Sequence, residues 1–246
     1  MSQTAATLLV IPTYNERDNV EPLWTRIASL ALDLDVLFLD DNSPDGTGAV
    51  LDRIATGRSN VFVLHRPEKR GIGSAHQAGI AWAYDRGYPT IVTMDADFTH
   101  DPAYVRAFLD ADPRFDVVTG SRFLNPDSLV GWSLQRRLLT RVGHLMTEWI
   151  LRLPYDCSGA FRRYRLDRIP RRLFGEISSP GYSFFFESML VLHAHGVPIG
   201  EIPLQLPARL HGQSKMRLRD MIESAWQLSR LAARHRRRGR AARPAV

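Results

Sequence analysis

Two carboxylates one residue apart, Asp95 and Asp97 of Asp95-Ala96-Asp97, follow directly on the apolar run Thr90 to Met94. If that run is a buried strand, both acids stand at its mouth. Paired oxygens there suit Mg²⁺ or Mn²⁺, hard cations that complete an octahedron with phosphate oxygens and water. Alone, Asp-x-Asp also describes a solvated acidic turn; its place after a strand in an α/β chain favours the ligand reading. A second acidic pair, Asp40-Asp41, ends the run Val36 to Asp40 and opens Asn42-Ser43-Pro44-Asp45-Gly46-Thr47. Turn formers account for Asn42 to Gly46 but not for two adjacent acids. Pro12-Thr13-Tyr14-Asn15-Glu16 closes the first apolar run in the same way, offering an aromatic face and a carboxylate, groups that can hold a base and a ribose. Taken alone, Pro12 is a strand terminator and Glu16 a first-turn helix acid.

The basic loop His65-Arg66-Pro67-Glu68-Lys69-Arg70-Gly71-Ile72-Gly73 enters a helix, a setting in which backbone N–H groups and a cation meet a diphosphate. The chain carries 30 Arg and only two Lys, Lys69 and Lys215, and both fall in motif-like segments. A compact point charge in place of a fork is a chemical choice at such positions, and it supports the diphosphate reading without carrying it.

These loops need a frame. Thr7 to Ile11, Val36 to Asp40, Val61 to His65, Thr90 to Met94 and Asp116 to Thr119 read as strands. Asp18 to Leu30, Gly46 to Ala55 and Gly73 to Asp85 read as helices between them. Such βαβ repetition predicts a mostly parallel sheet with helices on both faces and ligands at the carboxyl ends of its strands. Beyond this, Leu134, Leu138, Val142, Leu145, Met146, Trp149 and Ile150 form a helix-period stripe expected to pack on the core, and Leu218, Met221, Ile222, Ala225, Trp226 and Leu228 form another. The expected organisation is one catalytic unit over residues 1–229, with a donor-binding half at about 7–120, an acceptor-side half at about 121–229, and an Arg-rich tail at 230–246.

Arg230 to Val246 holds seven Arg and no acid, so of the net charge of +6 the rest of the chain carries −1. The tail lacks aromatic residues for base stacking, which argues against nucleic acid and leaves an anionic membrane surface or solvent. The single cysteine, Cys157, reads as a packed, inert thiol in a reducing compartment. With neither a signal-like N-terminus nor an apolar stretch of spanning length, the expected location is cytoplasmic, peripheral on the cytoplasmic face of a membrane.

Taken together, these motifs resemble the inverting glycosyltransferase family 2. Gly120-Ser121-Arg122-Phe123, Trp132 with Arg136 and Thr140, Asp156 to Arg162, Gly181-Tyr182-Ser183-Phe184 with Glu187, Glu201-Ile202-Pro203-Leu204, and Arg209-x-x-Gly212-x-Ser214-Lys215 narrow the resemblance to its dolichol-phosphate (polyprenol-phosphate) mannosyltransferase branch over residues 7–216. The resemblance implies a GT-A type fold, GDP-mannose as donor and a polyprenyl phosphate as acceptor. It implies Pro12, Tyr14, Glu16 and Asp41 as the nucleoside pocket, and Lys69, Gly71, Arg209 and Lys215 around the donor diphosphate. Asp95 and Asp97 are implied as metal ligands, and Arg122, Arg136 and Thr140 as the acceptor-phosphate site. Thr99 stands where many relatives carry Gln or Ser. The implied catalytic groups are Asp97, Arg122 and Arg136. The rivals are a same-fold enzyme using another sugar nucleotide such as UDP-glucose or acting on a carbohydrate hydroxyl, which needs a carboxylate base, and a nucleic-acid-binding module.

Overall fold

The donor-side and metal-ligand residues expected from the sequence fall at the carboxyl ends of strands, and the order of those strands decides which of them meet. The computed structural model describes residues 6–125, 128–129, 131–132, 134–205, 229–230 and 233. Arg209, Lys215, the stripe from Leu218 to Leu228 and most of the Arg-rich tail lie outside them. The described elements are β1 (Thr7–Thr13), α1 (Arg17–Ser29), β2 (Asp35–Asp40), α2 (Thr47–Ala55), β3 (Val61–His65), α3 (Ile72–Asp85), β4 (Thr90–Thr93), α4 (Tyr104–Leu109), β5 (Val117–Ser121), α5 (Leu134–Leu151), β6 (Arg162–Arg165), α6 (Arg171–Gly175), α7 (Ser183–Ala194) and β7 (Ile199–Pro203).

One sheet runs β3-β2-β1-β4-β6-β5-β7. Its pairs are parallel except β4–β6 and β5–β6, which are antiparallel. The expected mostly parallel sheet is therefore present, with β6 inverted within it. Alternate residues of β1 and β2 enter opposite cores, as a pleat of period two requires. Leu8, Val10, Leu37 and Leu39 join Ile80, Tyr164, Phe184 and Met189 on one face. Leu9, Ile11, Val36 and Phe38 join Leu23, Leu51, Val105 and Phe108 on the other. Both faces are covered, which is why these strands read as unbroken apolar runs.

Pro12 fits because β1 outruns its neighbour: pairing to β4 stops at Val10, while pairing to β2 continues to Thr13 opposite Asp40. Arg162, a fully buried side chain of β6, donates to the carbonyls of Cys157 and Phe185 and to the Ser188 hydroxyl, tying β6 to α7 without a carboxylate. Cys157 is buried, and burial pushes its thiol up to about 12, as expected of an inert group.

The stripe on α5 departs from expectation. Leu134, Leu138, Leu145 and Trp149 are 83%, 64%, 62% and 81% exposed, where packing on the core was expected. The sheet faces are already taken by the other helices, and α5 rests on the body through Thr147 and Leu151, off the stripe, and through Ile150, the one stripe residue packed against the core among those described. Periodicity defines an apolar face but not what lies against it.

Candidate active site

Strand order places a crevice between β1 and β4, where the chain leaves β1 for β2 on one side and returns as β4 on the other. Tyr14 and Glu16 follow β1, and Asp95 and Asp97 follow β4. Asp41 follows β2, and Lys69 lies beyond β3. The loop after β2 braces the loop after β1: the amides of Asn15, Glu16 and Arg17 donate to Ser43 Oγ, Thr47 Oγ1 and Asp45 Oδ2 at 3.0, 3.0 and 3.2 Å. Asp40 accepts from the amide and hydroxyl of Ser43 and so builds the turn. Asp41 does something else. Its buried carboxylate takes Arg66 Nη1 at 2.7 Å, and burial raises its pKa while Arg66 offsets part of the rise.

Lys69 Nζ lies 3.6 Å from the centroid of the Tyr14 ring, so two residues selected separately from the sequence meet at one place. The sequence signals Arg66 only as a cation directly after a strand. Gly71 is required by packing. Its φ is +95°, and a Cβ there would stand 2.5 Å from Pro180 O. The Ser74 amide donates to Pro180 O at 2.9 Å, and Glu187 holds that segment by accepting from the Ser178 and Ser179 amides. The chain's own carbonyl thus takes one first-turn amide of α3.

At the β4 mouth, the Asp95 amide donates to His100 Nδ1 at 2.9 Å, and the His100 ring packs against Phe161. Phe98 takes a positive φ of 59°, an uncommon state for a bulky side chain, within the turn that carries Asp97. Thr99 donates to Asp97 Oδ1 from its amide at 3.1 Å and from its hydroxyl at 2.6 Å. Thr99 therefore holds a carboxylate in position. Both acids are part-exposed at the crevice. Among the described residues no group of three or more His, Cys, Asp or Glu could hold a metal. Two carboxylates alone suit a hard cation that shares its remaining positions with a diphosphate and water.

Arg122, expected on the acceptor side, arrives on the same edge. Because β6 is antiparallel to both β4 and β5, β5 runs the same way as β4, and Arg122 leaves the sheet where Asp95 does, two strands or roughly 10 Å across. Arg122 pairs with Asp156 through Nε to Oδ2 at 2.8 Å and Nη2 to Oδ1 at 2.9 Å, and it also donates to the Ser158 hydroxyl. Burial opposes charge on Asp156, yet Arg122 and the hydrogen bonds hold its pKa at about 2. In the sequence Asp156 shows only as the start of the run Asp156 to Arg162. It occupies the Nε–Nη2 edge of the guanidinium fork.

Arg136 and Thr140 lie on α5 at i and i+4. Arg137 donates to Leu129 O at 2.9 Å and anchors α5 to the preceding loop.

Residues 8–169 match the model of the glycosyl transferase family 2. The chain belongs to that family. This glycosyltransferase is 32% identical over 236 residues to the polyprenol monophosphomannose synthase of Mycolicibacterium smegmatis, covering 95% of this chain and 89% of that protein. It is 36% identical over 210 residues to the undecaprenyl-phosphate mannosyltransferase of Micrococcus luteus, covering 85% and 86%. Its fold matches glucosyl-3-phosphoglycerate synthase of Mycobacterium tuberculosis, solved with Mn²⁺ and UDP, at a TM-score of 0.62 and 18% identity over 94% of this chain and 80% of that one. A mannosyltransferase of Pyrobaculum calidifontis, solved with GDP-Man and Mn²⁺, matches at 0.55 and 15% identity over 99% and 77%. The fold of this glycosyltransferase is accordingly of the GT-A type.

Proposed function

We propose that this glycosyltransferase moves mannose from GDP-mannose to a polyprenyl phosphate at a membrane surface, inverting the anomeric carbon. The observation that carries the reading is the shared edge: the Tyr14, Asp41, Lys69 and Asp95-Ala96-Asp97 cluster and the Arg122 cluster leave the sheet in one direction, as a donor and an attacking phosphate require. The names of the two curated relatives supply the sugar and the lipid class.

In this reading Tyr14, Glu16 and Asp41 hold the nucleoside and Lys69 meets the diphosphate, with Arg209 and Lys215 completing that contact. Asp95 and Asp97 would hold Mg²⁺ or Mn²⁺, which supplies counter-charge to the leaving diphosphate. Arg122, Arg136 and Thr140 hold the acceptor phosphate in line. A phosphate monoester with a second pKa near ~6 is already mostly dianionic at pH 7, so it attacks without a general base. One phosphate oxygen forms a bond to the anomeric carbon as the bond to the diphosphate oxygen breaks, and the electron pair leaves with GDP. Catalysis then rests on alignment and charge. The hydroxyl-acceptor rival needs a carboxylate base, and Asp156, held at about 2 and paired to Arg122, is poorly suited to that task.

The exposed apolar face of α5 supports the membrane part of the reading. An open groove of about 1010 Å³ runs along its end, lined by Leu145, Trp149, Ile150, Leu153 and Pro154 among others. Among the described residues no helix is long and apolar enough to cross a membrane. The test is turnover of a panel of sugar nucleotides with and without a short polyprenyl phosphate, with and without chelator. Mannose transfer that needs the lipid phosphate and a divalent ion, and that is lost in Asp97→Ala with the melting curve intact, is the expected result. Turnover of a UDP-sugar but not GDP-mannose, or full activity in excess chelator, would overturn it.

A further inference from the structure

His144 has no part in the reaction as described so far, yet its position ties it to the acceptor side. Arg136, Thr140 and His144 occupy i, i+4 and i+8 of α5, successive turns of one helix face. The half-buried His144 ring lies flat on Phe123, with centroids 3.8 Å apart and planes 10° from parallel. Phe123 is the residue after Arg122, whose guanidinium carbon stands 5.3 Å from the same ring. One face of the imidazole is thereby fixed by an aromatic platform at the exit of β5. Among the described residues, its ring nitrogens take no hydrogen bond.

A phosphate monoester presents three terminal oxygens, of which one attacks. The Nε–Nη2 edge of Arg122 is engaged by Asp156, so Arg122 cannot offer both edges to a phosphate. A further neutral donor adds hydrogen bonding to the remaining oxygens without drawing charge from the attacking one. Burial, the first cause, lowers the pKa of His144, with the Arg122 charge acting in the same direction and Asp156 and Glu148 opposing. The imidazole is therefore mostly neutral at pH 7, with one N–H to donate.

We propose that His144, held by Phe123, donates a hydrogen bond to a non-attacking oxygen of the acceptor phosphate monoester. The inference rests on the acceptor-phosphate reading of Arg122, Arg136 and Thr140.

Three variants of the full chain test it, assayed with a short polyprenyl phosphate at saturating donor. His144→Phe keeps a ring to stack on Phe123 and removes the donor; His144→Gln restores an N–H; Arg136→Ala reports on the acceptor site itself. The expected result is a fall of about tenfold in kcat/KM for the lipid phosphate in His144→Phe, partial recovery in His144→Gln, and unchanged GDP-mannose affinity and melting in both. A His144→Phe enzyme with parental kcat/KM for the acceptor overturns the inference, as does an equal loss of donor affinity. If Arg136→Ala weakens acceptor use while His144→Phe does not, only the His144 contact has failed. If neither alters acceptor use, the acceptor-site reading has failed with it.

Discussion

Changing Asp156 to Asn removes one charge and nearly preserves shape, which makes the buried pair with Arg122 open to measurement. The Asp156 side chain is 1% exposed and that of Arg122 18%. Besides the two guanidinium bonds, the carboxylate accepts from the amides of Arg122 and Ser158 at 3.3 and 3.2 Å and from the Ser158 hydroxyl at 2.9 Å. Lowering the pKa from 3.8 to about 2 corresponds to roughly 2 to 3 kcal/mol of native-state preference for the carboxylate. Orphaning one member of a buried pair costs about 3 to 5 kcal/mol, and the amide retains one acceptor oxygen. A loss of about 2 to 4 kcal/mol at pH 7 is the expectation, or on the order of 5 to 15 °C in Tm for a chain of this size. The folded-state pKa lies below the unfolded one. The stabilisation is therefore complete above pH ~4 and is lost as pH falls towards about 2. Urea denaturation of parent and variant at pH 7 and at progressively lower pH measures both parts. A difference under ~0.5 kcal/mol at pH 7, or one that does not narrow in acid, refutes the reasoning.

Arg122→Lys, which supplies a point charge without the fork, should lose tenfold or more in acceptor-dependent kcat/KM, about 1.4 kcal/mol, with donor affinity little changed. Weakened GDP-mannose binding with normal acceptor dependence would assign Arg122 to the donor instead. Arg141, exposed and one position round α5 from Thr140, serves as the silent control; Arg137 does not, since it is tied to Leu129. Gly71→Ala should destabilise by about 1 to 3 kcal/mol, because the positive φ and the 2.5 Å approach to Pro180 O act together. An unchanged melting temperature would show that the backbone there shifts freely. Deleting the residues after Arg230 should weaken sedimentation with anionic vesicles, each Arg contributing on the order of 1 kcal/mol before screening. Binding that is unchanged and indifferent to salt would make the tail a solvated extension.

The donor half was legible because its code is local. Strands buried on both faces appear as apolar runs, and the acids and cations that follow them fall on one edge by topology alone. The second half was not legible in that way. Arg162-Arg163-Tyr164-Arg165 looks like solvated surface, yet it is the inverted strand β6. Arg163 is buried with its guanidinium on the carbonyls of Phe108, Ala111 and Phe115, distant partners that no local pattern announces. Likewise β7 shows in the sequence as the motif Glu201-Ile202-Pro203-Leu204 and not as an apolar strand run. Asp156 gained a role only when β5 and β6 were adjacent. The α5 stripe failed for the converse reason, since its sequence is that of a packed helix and only the three-dimensional neighbours show the face left open.

Two arginines at this edge are tied to buried aspartates: Arg66 to Asp41 and Arg122 to Asp156. Each tie offsets the charge that would attract a phosphate, so neither arginine is at its strongest as a bulk attractor of anions. What each tie provides is orientation, because a guanidinium fixed by carboxylate and hydroxyl groups presents its remaining N–H at one place and need not reorganise as charge moves. The attraction itself must then come from elsewhere. In the proposed reaction Lys69, which forms no ion pair among the described residues and lies over the Tyr14 ring, would provide part of it. In the proposed reaction the remainder falls to the divalent ion on Asp95 and Asp97 and to Arg136. The proposed reaction has to bring into line a diphosphate and a phosphate that repel one another. In the proposed reaction, fixed and charge-compensated forks would align the two groups while the metal and Lys69 supply the attraction.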